Sequence, residues 1–157
     1  MSENTIEIIP FSSEYKTEIK TLNIEWLEKF FEVEESDKIM LSNPQEYIID
    51  KGGKIFYAKY KNHIIGTVTL LKIDDFTFEL SKMAVTESVQ GIGIGKIMME
   101  HCINFAKENK IKKLVLYSNT VLVPAIKMYK KYGFESVNLD SSIYKRSNIK
   151  MEKVIQH

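Results

Sequence analysis

The spacing of apolar residues has one period in the early part of the chain and another after residue 54. In the early part apolar side chains recur at helical spacing, as at Ile19, Leu22, Trp26 and Phe30. After it, runs rich in β-branched and aromatic residues are typical of strands. The predicted elements are a strand at 5–9, a helix from Ser12 or Ser13 to about 29, helix starts at Ser36 and at Asn43-Pro44, strands at 55–60, 64–73 and 77–85, a helix at about 93–110, a strand at 113–117, a helix at about 122–131, and strands at 135–138 and 143–154.

The order β-α-α-β-β-β-α-β-α-β-β predicts an α/β fold with a mixed, mostly antiparallel sheet. The three strands between residues 55 and 85 are predicted to form an antiparallel meander. Because the sequence has no repeat and no linker rich in Pro, Gly or Ser, residues 1–157 are predicted to form a single domain.

Composition narrows the class of protein and its partners. The chain is 44% apolar and 27% charged, and its apolar runs are shorter than the roughly 20 residues that span a bilayer. The polar start at residues 1–4 is unlike a signal peptide, and the single Cys102 fits a reducing compartment, so a cytoplasmic protein is expected. Cys102 is interpreted as a core residue rather than a nucleophile. No pair of His or Cys has ligand spacing, so no metal site is expected.

Charge is distributed unevenly along the chain. The net charge is only +1, which argues against nucleic acid as the main partner. Residues 1–100 carry 11 Lys and 17 Asp or Glu, a net of −6, whereas residues 101–157 carry 11 Lys or Arg and 4 acids, a net of +7. This asymmetry suits a protein whose later half binds phosphates and whose earlier half binds a cation, although solvated surface explains it equally well.

The segment Gln90-Gly91-Ile92-Gly93-Ile94-Gly95-Lys96 follows a predicted strand and opens a predicted helix. Three glycines let a ligand approach the backbone, and the first amides of a helix have no partner within the helix. A strand, a glycine turn and a helix start together predict a phosphate site. The glycine spacing is too short for a Walker loop. A dinucleotide fingerprint is disfavoured because Lys110 and Lys112 stand where its acidic residue should be.

The pattern Gln-x-x-Gly-x-Gly, after a strand that ends in Met83-Ala84-Val85, resembles the pyrophosphate-binding motif of the GCN5-related N-acetyltransferases, the GNAT family. The segment from Asn119 through Ala125 and Tyr129 to Gly133-Phe134 resembles the family's second cofactor motif. The order of elements is similar to the family's over nearly the whole chain. The resemblance implies acetyl-CoA as the cofactor and an acyltransferase that moves an acetyl group to a primary amine in a ternary complex. It implies cofactor-binding residues at Met83, Ala84, Val85, Gln90, Gly91, Ile92, Gly93, Ile94, Gly95, Lys96, Asn119, Ala125 and Met128.

Two residues are candidates for the proton transfers of this reaction. An alkyl amine with a pKa of about 10.4 must lose a proton, and the departing thiolate must gain one. The resemblance implies that Glu79 is the general base, directly or through a water; a solvent-facing position on the strand is the alternative. It likewise implies that the hydroxyl of Tyr129, with an ordinary pKa of about 10, is the general acid; an ordinary buried stripe is the alternative. Asn119 is expected to cap the following helix or hold the pantetheine arm, and the Met83–Val85 backbone to pair with that arm as an added strand would.

The amine site is predicted less closely. In the family it is formed by the first helices and late strands, which implies Trp26, Phe30, Phe31, Tyr144 and Arg146, the chain's only arginine. Trp26 and Phe30 also fit a core. The acidic run is interpreted as a solvated loop rather than as an attractor of the amine; it comprises Glu32, Glu34, Glu35 and Asp37.

Other functions compatible with the sequence are a non-catalytic acyl-CoA sensor, a nucleotide-binding domain and transfer to a hydroxyl group. The strand at 78–85 and the segments at 116–120 and 124–125 also look like the acetyltransferase half of MarR–GNAT fusion regulators, although no helix-turn-helix domain fits in this chain. The expected partner is a small-molecule or peptide amine, without nucleic acid or membrane. The oligomeric state is open, a homodimer included.

Overall fold

The computed structural model describes residues 5–89, 91–139 and 146–156. Seven strands form one sheet in the order β1-β2-β3-β4-β5-β7-β6, in which only β4 and β5 run parallel. The strands are β1 (Glu7–Pro10), β2 (Lys54–Tyr60), β3 (His63–Lys72), β4 (Thr77–Val85), β5 (Lys113–Ser118), β6 (Glu135–Val137) and β7 (Ile149–Val154). The helices are α1 (Lys16–Phe30), α2 (Glu35–Ser42), α3 (Ile94–Glu108) and α4 (Val123–Lys131).

The sheet has a hydrophobic core on each face. On one face α3 packs through Met98, Met99, Cys102 and Ala106, and α4 packs beside it. On the other face α1 and α2 cover a smaller cluster around Ile19 and Tyr57. Burial raises the pKa of the Cys102 thiol to about 12, which keeps it protonated and inert and confirms its interpretation as a core residue.

Strands β4 and β5 run together for only part of their length. The β4–β5 ladder pairs residues 77–79 with residues 113–115 and ends at Glu79 and Val115. Beyond it β4 continues beside β3, and β5 continues beside β7. A bulge in β4, where Lys82 has a φ of +50°, shifts the register against β3 and bends the strand. The two strands therefore separate and leave an opening in the middle of the sheet.

The predicted order of elements and the fold class are confirmed, with three local corrections. The first helix begins with a 3₁₀ turn at Ser13–Tyr15, in which the amide of Glu14 donates to Ser12 Oγ at 3.3 Å. The helix predicted at Asn43-Pro44 is a single π-type turn, Gln45–Ile49, because Gly52 and Gly53 follow too soon for a longer one. The last strand begins at Ile149, since residues 146–148 are not part of a strand; residues 143–145 of its predicted range lie outside the described residues.

No helix in the part of the chain that the structure describes is both long and apolar enough to span a membrane.

Candidate active site

A cleft of about 600 Å³ lies where β4 and β5 separate. Its floor is formed by β4 and β5, and its walls are formed by α1, the start of α3 and the start of α4. Residues from both predicted cofactor motifs and from the predicted amine site line this one cleft.

The glycine turn forms one end of the cleft. Gly91 and Gly93 have φ values of +92° and +88°, in the left-handed region that favours glycine. A Cβ at either position would meet no other described atom within 4 Å, so both glycines face open space. Gly93 is the N-cap of α3, and among the described residues no side chain caps this helix. The first amides of α3 are therefore available to an anion, which fits the pyrophosphate of acetyl-CoA.

The remaining residues of the first motif divide between the cleft and its surroundings. Gly95, Lys96 and Ile94 line the cleft, whereas Ile92 is exposed and does not line it. Gln90 lies outside the described residues. On β4, Met83 and Val85 line the cleft, while Ala84 alternates to the other face and is buried. Because β4 and β5 are separated beside Met83–Val85, the backbone of these residues could pair with a pantetheine arm.

Glu79 lies at the point where the two strands separate. Its neighbours Phe78 and Leu80 pack into the core beneath α3, so strand alternation directs Glu79 to the opposite face, toward α1 and α2. The residue is 2% exposed, lines the cleft, and contributes to the electrostatic environment of Lys82. This burial rules out the solvent-facing alternative. A buried carboxylate that lines the cleft can accept a proton from a bound amine.

Tyr129 approaches the same cleft from α4, on the side of β5. Burial raises the pKa of Tyr129 to about 12, and a hydrogen bond with Ser118 lowers it only in part. The hydroxyl therefore stays protonated over the whole physiological range and can donate a proton or hydrogen bond. Tyr132, one turn later, instead donates to Glu100 Oε1 at 2.8 Å, outside the cleft.

The second motif lines the cleft through Asn119, Ala125 and Met128. Asn119 Oδ1 accepts from the Val121 amide at 3.0 Å, and its Nδ2 donates to the backbone oxygen of Arg146 at 2.8 Å. Asn119 thus closes a turn before α4, whose N-cap is Leu122, and the predicted helix-capping role is wrong. Both polar atoms of the amide are already engaged in positioning the wall of the cleft.

Aromatic side chains form the other end of the cleft. Trp26 lies 5.4 Å from Phe30 and 5.6 Å from Phe31, measured between ring centroids, and all three line the cleft. Phe30 is 43% exposed, so the core alternative for it is wrong. Helix α1 is held here by Glu25, whose Oε1 accepts from Thr86 Oγ1 at 3.3 Å and from the Glu87 amide at 3.1 Å.

Beside the aromatic rings lies a group of ionised side chains, the ion cluster, formed by Glu34, Asp37, Lys82 and Arg146. Arg146 donates to both carboxylate oxygens of Asp37 at 3.0 Å and to Glu34 Oε2 at 3.0 Å. Lys82 Nζ is 3.7 Å from Asp37 Oδ1. Asp37 is only 2% exposed, so the interpretation as a solvated loop is wrong for this residue: Arg146, 109 positions away, is bonded to it in the cleft wall. Glu32 and Glu35 are exposed, as that interpretation predicts.

Burial and pairing act in opposite directions on these groups. Burial alone would raise the pKa of Asp37, but the hydrogen bonds from Arg146 and the Glu34 amide, with the charges of Arg146 and Lys82, outweigh it and lower that pKa. Burial lowers the pKa of Lys82, and the charges of Asp37 and Glu79 restore it only in part. Asp37 is thus held ionised, while the charge on Lys82 is costly to bury.

The structure adds Asn23, Lys82 and Ser118 to the site residues predicted from the sequence. Each is a buried or nearly buried polar side chain that lines the cleft. Two had a visible signal, because Asn23 lies on the apolar stripe of α1 and Lys82 interrupts an apolar strand. Tyr144 lies outside the described residues. The described residues contain no grouping of His, Cys, Asp and Glu able to hold a metal ion.

Comparisons with known proteins agree with this geometry. The sequence profile of the "Acetyltransferase (GNAT) family" matches residues 20–134. A probable N-acetyltransferase, san, from Drosophila melanogaster is 26% identical over 151 residues, which cover 93% of this chain and 77% of that protein.

Solved structures are similar in fold. A GNAT-family acetyltransferase from Staphylococcus aureus Mu50 superposes with a TM-score of 0.87 at 21% identity, covering 97% of this chain and all of that one (100%). The PaiA N-acetyltransferase of Thermoplasma acidophilum, solved with coenzyme A, has a TM-score of 0.74 at 21% identity and covers 96% of this chain and 99% of its own. With the profile match spanning most of the sequence, the chain belongs to the GNAT acetyltransferase family and is an acyltransferase that uses acetyl-CoA.

Proposed function

We propose that the chain transfers the acetyl group of acetyl-CoA to a primary amine by direct attack within a ternary complex. The observation that supports this most is the single cleft at the separation of β4 and β5. It joins an anion-binding glycine turn, a buried carboxylate, a protonated phenol and an aromatic pocket. A small molecule or a peptide could supply the amine.

Glu79 is the proposed general base. It lies at the point where β4 leaves β5, in the same cleft as the aromatic side chains and the glycine turn. An ammonium group entering the cleft is attracted by this carboxylate and can pass a proton to it, directly or through a water. The thioester supplied by bound acetyl-CoA is the electrophile.

Tyr129 is the proposed general acid. It lines the opposite wall from α1, and its proton is retained at neutral pH because burial raises the pKa of the hydroxyl to about 12. Because the pKa of a free thiol is about 8.5, a phenol of this pKa stabilises the leaving thiolate by donating a hydrogen bond, and the thiolate then takes its proton from solvent. Its hydrogen-bond partner Ser118 lines the same cleft.

The test is release of free CoA thiol from saturating acetyl-CoA with a panel of primary amines. Tyr129→Phe should lower kcat roughly 100-fold, a typical contribution of one acid–base group, while acetyl-CoA affinity measured by calorimetry stays within about twofold. Tyr132→Phe is the matched control: it also removes one hydroxyl, at the C-cap of α4 and bonded to Glu100, and should keep full activity. Equal activity of the two variants would remove Tyr129 from the mechanism.

Glu79→Gln keeps the size of the side chain and removes the base. We expect at least a roughly 100-fold loss of kcat at neutral pH, partly recovered as the pH approaches the pKa of the free amine, where solvent supplies the deprotonated form. Glu135→Gln, on the exposed surface of β6, is the control. A pH–rate profile of Glu79→Gln that matches the wild type would exclude Glu79 as base.

The same assay separates the alternative functions. A non-catalytic sensor would bind acetyl-CoA without amine-dependent thiol release. A nucleotide-binding domain would gain thermal stability from ATP rather than from acetyl-CoA. Transfer to oxygen would give thiol release with alcohols but not with amines.

A further inference from the structure

We propose that the acceptor is a small amine with one positive charge and an aromatic body, rather than a polyamine or an acidic amino acid. This rests on the proposed function and names the class of amine. It is carried by three features of the cleft end that faces α1: the aromatic rings, the charge of the side chains around them, and one buried amide.

Helix α1 presents a continuous face to the cleft. Asn23, Trp26, Leu27 and Phe30 recur at the spacing of one helix face, and all line the cleft. The rings of Trp26 and Phe30 are tilted at 47° to each other, so they offer edges and faces to a further ring. Aromatic groups prefer such tilted or offset neighbours. A flat apolar body between Glu79 and this face would cover the exposed part of Phe30.

The charges around this end match a single cation. The described ionised side chains that line it, with their ion-pair partners, are Glu34, Asp37, Glu79, Lys82 and Arg146, which carry one net negative charge. This excess of one negative charge, shared among the five side chains, matches the charge of one ammonium group. Lys29 and Glu87 at the rim pair with each other and add no net charge.

The same charges disfavour the other classes of amine. The ammonium of Lys29 lies over the ring of Phe30, 5.3 Å from its centroid, and its charge is compensated by Glu87. A polyamine would bring two or more positive charges to an end whose described ionised side chains carry one net negative charge, so its second charge would be buried without compensation. An acidic acceptor would bring its carboxylate to an end of the cleft that is already negative, where Arg146 is bonded to Glu34 and Asp37.

Asn23 provides a polar contact among the apolar residues of α1. It is 4% exposed, and its Nδ2 donates to the backbone oxygen of Ile19 at 2.9 Å. Among the described residues nothing donates to its Oδ1. That oxygen is left to accept an N–H from the amine, which would orient the nitrogen while the aromatic body lies against Trp26 and Phe30.

Binding can be measured without turnover, because Trp26 is the chain's only tryptophan. When phenethylamine is titrated into the protein in the presence of CoA, the fluorescence of Trp26 should change along a saturable curve. In the CoA-release assay, kcat/KM for phenethylamine should exceed that for spermidine and for glutamate by about tenfold or more, which corresponds to about 1.4 kcal/mol.

Phe30→Ala should raise KM for phenethylamine about tenfold with kcat nearly unchanged, since the ring contributes binding alone. Phe76→Ala is the matched control. Like Phe30, Phe76 is exposed (52%) and lies under a lysine, here Lys112. Unlike Phe30, it belongs to the turn between β3 and β4 and does not line the cleft. Phe30→Leu serves as second variant should Phe30→Ala fold poorly. Higher kcat/KM with spermidine or glutamate, or equal effects of Phe30→Ala and Phe76→Ala, would overturn the inference and leave the proposed function standing. Absence of thiol release with every amine would overturn both.

Discussion

Replacing Asp37 by asparagine removes the charge at the centre of the ion cluster while keeping the size of the side chain. Asp37 is bonded twice to Arg146, lies 3.7 Å from Lys82 Nζ, and accepts from the Glu34 amide at 3.0 Å. Asparagine Oδ1 can still accept from that amide, so the start of α2 keeps its cap. The substitution removes the negative charge that compensates the buried Lys82 and the partly buried Arg146.

The expected loss of stability is near the low end for a broken buried pair. Removing one partner of such a pair costs about 3–5 kcal/mol. Arg146 keeps Glu34 as a partner at 3.0 Å. We therefore expect Asp37→Asn to lower the free energy of unfolding by about 3 kcal/mol, the lower end of that range. For a chain of 157 residues this corresponds to a fall in Tm of about 6–12 °C. Urea and thermal unfolding followed by circular dichroism measure both values.

The dependence of this loss on pH tests its electrostatic origin. A carboxyl whose folded-state pKa is lowered, as it is for Asp37, contributes stability above its unfolded-state pKa of about 3.9 and loses it as pH falls through the folded value. The difference between wild type and Asp37→Asn should therefore be constant near neutral pH and should shrink below about pH 4. A difference that does not change with pH would refute the assignment to charge.

The control for Asp37→Asn is Asp75→Asn. Asp75 also pairs with a lysine, Lys72, at 3.3 Å, but its side chain is almost fully exposed, so little change in stability is expected. Equal effects of the two substitutions would show that the ion cluster does not stabilise the wall of the cleft.

Two further predictions follow from the same geometry. Lys82→Met should leave the free energy of unfolding within about 1 kcal/mol of the wild type or raise it, because it removes a charge whose burial is incompletely compensated. Urea unfolding measures this, and a loss of stability as large as that of Asp37→Asn would contradict the prediction. Gly93→Ala should cost about 1–2 kcal/mol through its left-handed backbone and also weaken acetyl-CoA binding more than tenfold by calorimetry. Gly52→Ala, with a φ of +90° outside the cleft, should cost stability alone, and equal acetyl-CoA affinity of the two variants would refute a role for the glycine turn.

The sequence predicts the cofactor end of the site better than the amine end, for a physical reason. The glycine turn is local: three glycines between a strand and a helix determine where exposed amides will lie, whatever the rest of the chain does. The same is true of Glu79, which apolar neighbours on both sides mark as an unusual carboxylate in its strand. Patterns within about ten residues suffice for both.

The amine end depends on contacts between distant segments. Asp37 looks like part of a solvated acidic run until Arg146 is brought beside it, and the sequence between them contains most of the sheet. The left-handed conformation of Lys82 is also invisible in the sequence, because a lysine with positive φ is uncommon and the alternation of β4 suggests no bulge. Tertiary pairing, rather than local propensity, determines both.

Burial of the charged groups of the ion cluster costs free energy. The position of the cluster explains why an apolar cluster in its place would not keep the cleft open. It joins α2, the bulge of β4 and the segment before β7, and that segment holds Asn119 through the backbone oxygen of Arg146. These elements surround the opening between β4 and β5. An apolar cluster of similar volume would favour closing that opening, since burial of apolar surface has no preferred direction. Bidentate hydrogen bonds have a fixed geometry, so they can hold apart the walls of the cleft in which acetyl-CoA and the proposed amine would bind.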